Sequence, residues 1–212
     1  MPIMETYGEK PNTYQSTKKD INNMDLSYLR GFLYTKIEFK DGDISSYLPE
    51  DAGKDFEYLH QNGWFKFKPE LMQEQAKKYF GQEIENGDFE HHIGSSGKFE
   101  NGEYIHSMGG STFTYTNHLR QFVSYEQEKD TLTIKDNYLV YYFDSQTNTY
   151  TVYNTSEKVT PVATFTLDKE MTNEETNAYM LNTYEVYLKE YTHTFKKDDK
   201  DNWYWVSTKP SE

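Results

Sequence analysis

Tyrosine and phenylalanine carry nearly half of the apolar content of this chain. There are 20 Tyr and 13 Phe in 212 residues, and aromatics make up 17% against 35% hydrophobic residues in all. Disordered chains are poor in such residues, so low aliphatic content does not mean absence of a core here. A tyrosine ring suits a half-buried pleated surface, where it packs while its hydroxyl reaches water. The composition therefore predicts antiparallel sheet with one wet face. A chain of this length buries around 70% of its unfolded surface and needs no covalent staple.

Charge and cysteine count exclude several chemistries. The net charge of −13 opposes binding to nucleic-acid phosphates and anionic lipid heads. No basic stripe offers a nucleic-acid site. With no cysteine there is no thiol nucleophile, disulfide or Cys-ligated zinc. No apolar run approaches the roughly 18 to 20 residues of a membrane-spanning helix.

Local patterns set the expected elements. Residues 1–20 read as a polar tether, and 21–212 as one α+β domain, helical-rich over 21–85 and mainly β over 98–210. Apolar spacing predicts a helix over Ile21 to Leu33, followed by a strand in which Leu33, Thr35, Ile37 and Phe39 alternate. Pro69 to Phe80 is the main helix. Pro69 suits its first position, Glu70 and Glu74 lie early, Lys77 and Lys78 lie late, and Gly81 caps it. Its Tyr79 and Phe80 are expected to bury against the sheet. The Gly-rich stretch Asn86 to Gly110 reads as a long loop or loose hairpin. Strands follow at Phe113–Tyr115, Leu119–Tyr125, Thr131–Ile134, Tyr138–Phe143, Tyr150–Tyr153 and Val162–Leu167. Thr172, with Glu175 three residues on, opens a short helix. Thr183 to Phe195 is the longest strand candidate. Its inward parity slips, predicting a bulge near Lys189-Glu190. It pairs with Trp203–Ser207 across the Lys196–Asn202 loop, and Trp203 and Trp205 share the core face. The resulting architecture is a curved antiparallel β-sheet (meander) packed against one main helix and one or two short N-terminal helices.

The helix end Tyr79-Phe80-Gly81 and the close Lys196-Lys197-Asp198-Asp199 to Asn202-Trp203-Tyr204-Trp205-Val206-Ser207 resemble uncharacterised secreted or lipid-anchored proteins of Gram-positive, Firmicutes-type bacteria. A curved sheet ending in a Trp-rich strand is also similar to the cystatin-like or NTF2-like class. The resemblance implies an extracellular or surface-anchored location, with a leader outside this sequence, and transfers no catalytic residue. A cytoplasmic location is the alternative.

Motif chemistry is sparse. His91 and His92 sit beside Asp88 and Glu90, and with His106 they are the candidates for a nitrogen–oxygen metal site. Exposed loop histidines are the expected reading, so no metal or cofactor is assigned. Gly94-Ser95-Ser96-Gly97 lacks the Gly-x-Ser-x-Gly elbow of hydrolases and reads as a turn. Asp199 and Asp201 do not complete a calcium loop, because Trp203 and Tyr204 stand where an oxygen ligand and a glycine belong. Tyr141, Tyr150 and Tyr204 are the candidate ligand-binding aromatics, since flat rings beside carboxylates and amides suit sugars or peptides. The expected function is a non-catalytic extracellular binding or structural module of a bacterial cell-surface protein. Its partner would be a carbohydrate, a peptide or another surface protein. The alternatives are a carboxylate-based hydrolase and a cytoplasmic α+β module holding a small ligand.

Overall fold

The structure is a computed structural model that describes residues 13–90, 96–107, 116–167 and 171–211. The elements in chain order begin with β1 (Lys19–Asp20), α1 (Leu26–Tyr34), β2 (Ile44–Ser46), α2 (Phe56–Asn62), β3 (Phe65–Phe67) and α3 (Pro69–Phe80). Then come β4 (Phe89–Glu90), β5 (Ser96–Glu100), β6 (Glu103–Ser107), β7 (Thr116–Glu128), β8 (Thr131–Asp144) and β9 (Thr149–Tyr153). The last are β10 (Ala163–Phe165), α4 (Asn173–Thr183), β11 (Lys189–Lys197) and β12 (Trp203–Pro210). The protein is α+β, built on open antiparallel sheets.

The elements gather into two compact units where the sequence predicts one domain. The first takes the described parts of 1–21, 114–197 and 205–212; the second takes those of 22–113 and 198–204.

In the first unit the sheet order is β1-β12-β11-β8-β9-β10. The central strand β8 is paired along both edges. β11 covers its first half, from Lys189↔Tyr138 to Lys196↔Thr131, and β9 covers its end, from Val140↔Tyr153 to Asp144↔Thr149. β7 runs along the opposite edge. The polar stretch Lys135-Asp136-Asn137, which splits the sequence pattern into two strands, lies inside one continuous strand. Over Tyr138–Tyr141 both faces of this strand are buried, where tyrosine alternation predicts a wet one. Leu139 and Tyr141 pack with Leu119, Val152 and Met180 of α4, while Tyr138 and Val140 pack with Tyr14 and Tyr191. The helix α4 starts at the predicted capping box, in which Thr172 and Glu175 exchange hydrogen bonds.

Three expectations are corrected here. The predicted tether is no tether from Thr13 onward, because Tyr14 is a core residue and Lys19–Asp20 pair with β12. Thr183–Leu188 is not strand: α4 ends at Thr183, Glu185–Tyr187 form a 3-10 turn, and β11 starts at Lys189. The parity slip near Lys189 therefore marks the start of a strand, not a bulge. The register irregularity of this sheet lies in β7, between Phe122 and Ser124. It turns Phe122 and Tyr125 to one face, with ring centroids 6.5 Å apart. Phe113 and Tyr115 lie outside the described residues. β12 neighbours β11 as expected. Their loop is closed by Asp198, whose carboxylate accepts from the backbone N–H groups of Lys200 and Asn202.

In the second unit the sheet order is β2-β3-β6-β5-β4. α3 spans its predicted residues, and Gly81 ends it in the left-handed region at φ 71°. Its Tyr79 and Phe80 meet Phe32 of α1, at 5.5 and 5.9 Å between centroids, so a helix takes the place expected for the sheet. Tyr79 is only half-buried. The predicted strand at Leu33–Phe39 is the end of α1 and an irregular segment. Phe39 still packs inward, edge-on to Phe65 and Phe67, so its alternation reflects burial without strand pairing. The described part of the Gly-rich stretch holds β4 and the β5–β6 hairpin.

Arg30 and Gly31 explain how α1 is seated. Arg30 is buried and donates to the Asp88 and Glu85 carbonyls, at 2.8 Å each. At Gly31 the helix comes so close to β4 that a Cβ would stand 2.1 Å from the Glu90 carbonyl oxygen. Helix propensity alone makes Gly31→Ala stabilising by about 1 kcal/mol. The close approach reverses the sign, because the backbone of β4 must shift, and we expect a loss of about 1 to 3 kcal/mol. Urea unfolding of the variant measures which effect wins.

Candidate functional site

The densest chemistry lies on the Tyr14 side of the first unit's sheet. β8 contributes Asp136, β11 His193, β12 Thr208 and Trp205, and the segment before β1 Tyr14. Strand register sets Tyr191 and His193 opposite Asp136 and Ile134, so they share one face. The Trp205 indole N–H donates to Thr208 Oγ1 at 3.0 Å. The Thr208 hydroxyl is also hydrogen-bonded to His193 Nδ1, at 2.8 Å. His193 Nε2–H in turn donates to Asp136 Oδ1 at 2.8 Å. The other carboxylate oxygen accepts from the Tyr14 hydroxyl at 2.8 Å, and Arg120 reaches that hydroxyl at 3.4 Å. Burial, reinforced by the Asp136 charge, pushes the Tyr14 phenol far above its ordinary range. Burial pulls the Arg120 guanidinium down.

The order hydroxyl–imidazole–carboxylate is that of a hydrolase relay. A nucleophile and its base must reach substrate, however. Thr208 and His193 are both 0% exposed. The Tyr14 ring closes the pocket from one side, stacked on Tyr138 at 4.2 Å and edge-on to His193 at 5.2 Å. Every group in the chain meets a partner inside the fold, so the arrangement acts as a structural network. Asp136 within a β-branched strand, and His193 between Tyr191 and Phe195, were the signals that could have exposed it in the sequence.

Two of the predicted tyrosines, Tyr141 and Tyr150, meet in one cluster of the first unit, with ring centroids 6.0 Å apart. Tyr141 is 2% exposed, and its hydroxyl donates to Asn177 of α4 at 2.7 Å. Burial pushes it up to about 12. Tyr150 packs between Phe143 and Phe165, at 4.6 and 5.5 Å. Tyr204 belongs to the second unit, where its half-buried ring lies over the Gly81 cap. Of the histidine candidates, His91 and His92 lie outside the described residues. His106 is buried in the second unit, sandwiched between Tyr34 at 4.9 Å and Phe65 at 4.8 Å. Among the described residues, no group of three or more His, Asp and Glu gathers as a metal site.

The second unit displays a pair of aromatic rings on its sheet. Phe65 and Phe67 of β3 face its core, so the adjacent Trp64 and Lys66 face solvent. Tyr47 N–H donates to the Trp64 carbonyl at 3.1 Å, extending the β2–β3 register by one pair. Tyr47 and Trp64 are therefore cross-strand neighbours on the outer face, 42% and 38% exposed, with rings 18° from parallel. In the sequence the breakers Pro49 and Gly53 hide β2, the strand that leads into Tyr47.

No protein-family model, curated protein or solved structure matches the chain.

His106 supplies a pH prediction. Its Nδ1 is buried without a hydrogen-bond partner among the described residues. Burial first, and the His60 charge second, push it down to about 4. The folded state thus keeps this imidazole neutral while the unfolded chain protonates it near pH 6.5. Stability is unaffected by this group above that pH and falls as pH drops from about 6.5 toward 4. Between pH 7.5 and 4.5 the wild type should lose on the order of 2 kcal/mol more than His106→Phe. Urea midpoints of the two proteins at both pH values measure the difference.

Proposed function

We propose that the chain is a non-catalytic extracellular module that binds its ligand at the surface of a bacterial cell. The observation that carries this reading is the sealing of the His193–Asp136–Thr208 chain. Its nucleophile-like hydroxyl is fully buried and has no route to a substrate. Large aromatic rings stand exposed elsewhere, Trp64, Phe122 and Tyr125 among them. The net charge of −13 keeps the module away from nucleic acid and anionic lipid. No helix among the described residues is long and apolar enough to cross a membrane. The sequence resemblance to secreted or lipid-anchored proteins of Gram-positive bacteria supports the location.

Protease treatment of intact source cells, followed by detection of the chain, tests the proposal. Surface display predicts digestion before lysis. Full protection until the cells are broken would contradict it.

A further inference from the structure

We infer that the outer face of the second unit's sheet binds a neutral polysaccharide, with Tyr47 and Trp64 as its stacking platform. The inference rests on the binding-module reading and names the ligand class.

The platform is built by register. Tyr47 stands beside Trp64 across β2 and β3, with ring centroids 6.3 Å apart. The β3–β6 register, Phe65↔His106, places Ser107 next to Trp64 on the same face, and Ser96 pairs with Ser107. One row across the sheet therefore reads ring, ring, hydroxyl, hydroxyl. The two serine oxygens lie 3.2 Å apart and exposed. Alongside this row Lys66 and Glu103 form an ion pair at 3.0 Å, with both side chains more than one-third exposed. A sugar ring presents C–H groups on its faces and hydroxyls on its rim. The C–H groups carry partial positive charge and suit the negative π-face of an aromatic ring. The rim requires donors and acceptors placed at the edge of the rings: the Ser107 hydroxyl donates to the Ser96 carbonyl at 3.0 Å, so the serine oxygens and Glu103 serve as acceptors and the Lys66 ammonium as donor.

Charge narrows the class. The site's own cation and anion neutralise each other, while the chain carries −13. Uronic-acid or sulfated polymers would meet net repulsion.

The test uses the full chain on an array of neutral, uronic-acid and sulfated oligosaccharides. A bound neutral oligosaccharide is then titrated by calorimetry. Saturable binding should weaken at least tenfold in Trp64→Ala and Tyr47→Ala. It should be unchanged in Val186→Ala, an exposed control in the other unit. Amide shift changes in the wild-type protein should centre on Tyr47, Trp64 and Ser107, a readout that does not depend on the variants folding. The inference is overturned if no neutral glycan binds, if acidic glycans bind better, or if the shifts centre elsewhere. It also fails if the face captures an unglycosylated polypeptide instead. Surface display without glycan binding overturns this assignment alone and leaves the binding-module reading in place.

Discussion

A carboxylate in the middle of a β-strand organises the first unit. Burying Asp136 without partners would cost several kcal/mol, and losing one partner of a buried pair is similarly expensive. The fold meets this constraint by bringing four chain segments to one point. β8 carries the carboxylate, β11 the imidazole, β12 the threonine that orients it, and the N-terminal segment the phenol on the remaining oxygen. These partners lie 57 and 122 residues away in sequence. The same contacts fix which strands lie together: β11 beside β8, β12 beside β11, and β1 on the outer edge of β12.

The tyrosine-rich composition creates this demand throughout the molecule. A buried tyrosine fills a core as phenylalanine does, but its hydroxyl must find a partner. Tyr138 meets His118 at 2.6 Å, Tyr141 meets Asn177, Tyr191 meets the Asn154 carbonyl and Tyr104 meets Asn86. Polar side chains inside the core are thus consequences of packing with tyrosine, and their presence does not mark a reaction centre. Trp64 and Tyr47, displayed on a hydrophilic face, answer to no such packing requirement.

Features governed by neighbours in sequence were legible. Pro69, the early glutamates and Gly81 define α3, and Thr172 with Glu175 defines the start of α4, because helix ends satisfy their own backbone groups locally. Features governed by distant partners were not. Lys135-Asp136-Asn137 looks like a strand break until His193 and Tyr14 are in place. The parity of Tyr184, Val186 and Leu188 mimics a strand although the chain there is helix end and turn. Tyr14 looks like part of a solvated tail because its polar neighbours hide one anchoring ring. Tyr141 alternates with its neighbours, but alternation cannot show that α4 covers its face.

The central claim is that Asp136 and Tyr14 form one energetic unit that ties the N-terminal segment to the sheet. A double-mutant cycle with Tyr14→Phe and Asp136→Asn, followed by urea unfolding, measures it directly. Groups sharing a buried network couple by about 0.5 to 3 kcal/mol. The account predicts that each single change is destabilising and that the double variant is clearly more stable than the sum of the two losses implies. Strict additivity, or a negligible effect of Tyr14→Phe, would contradict it.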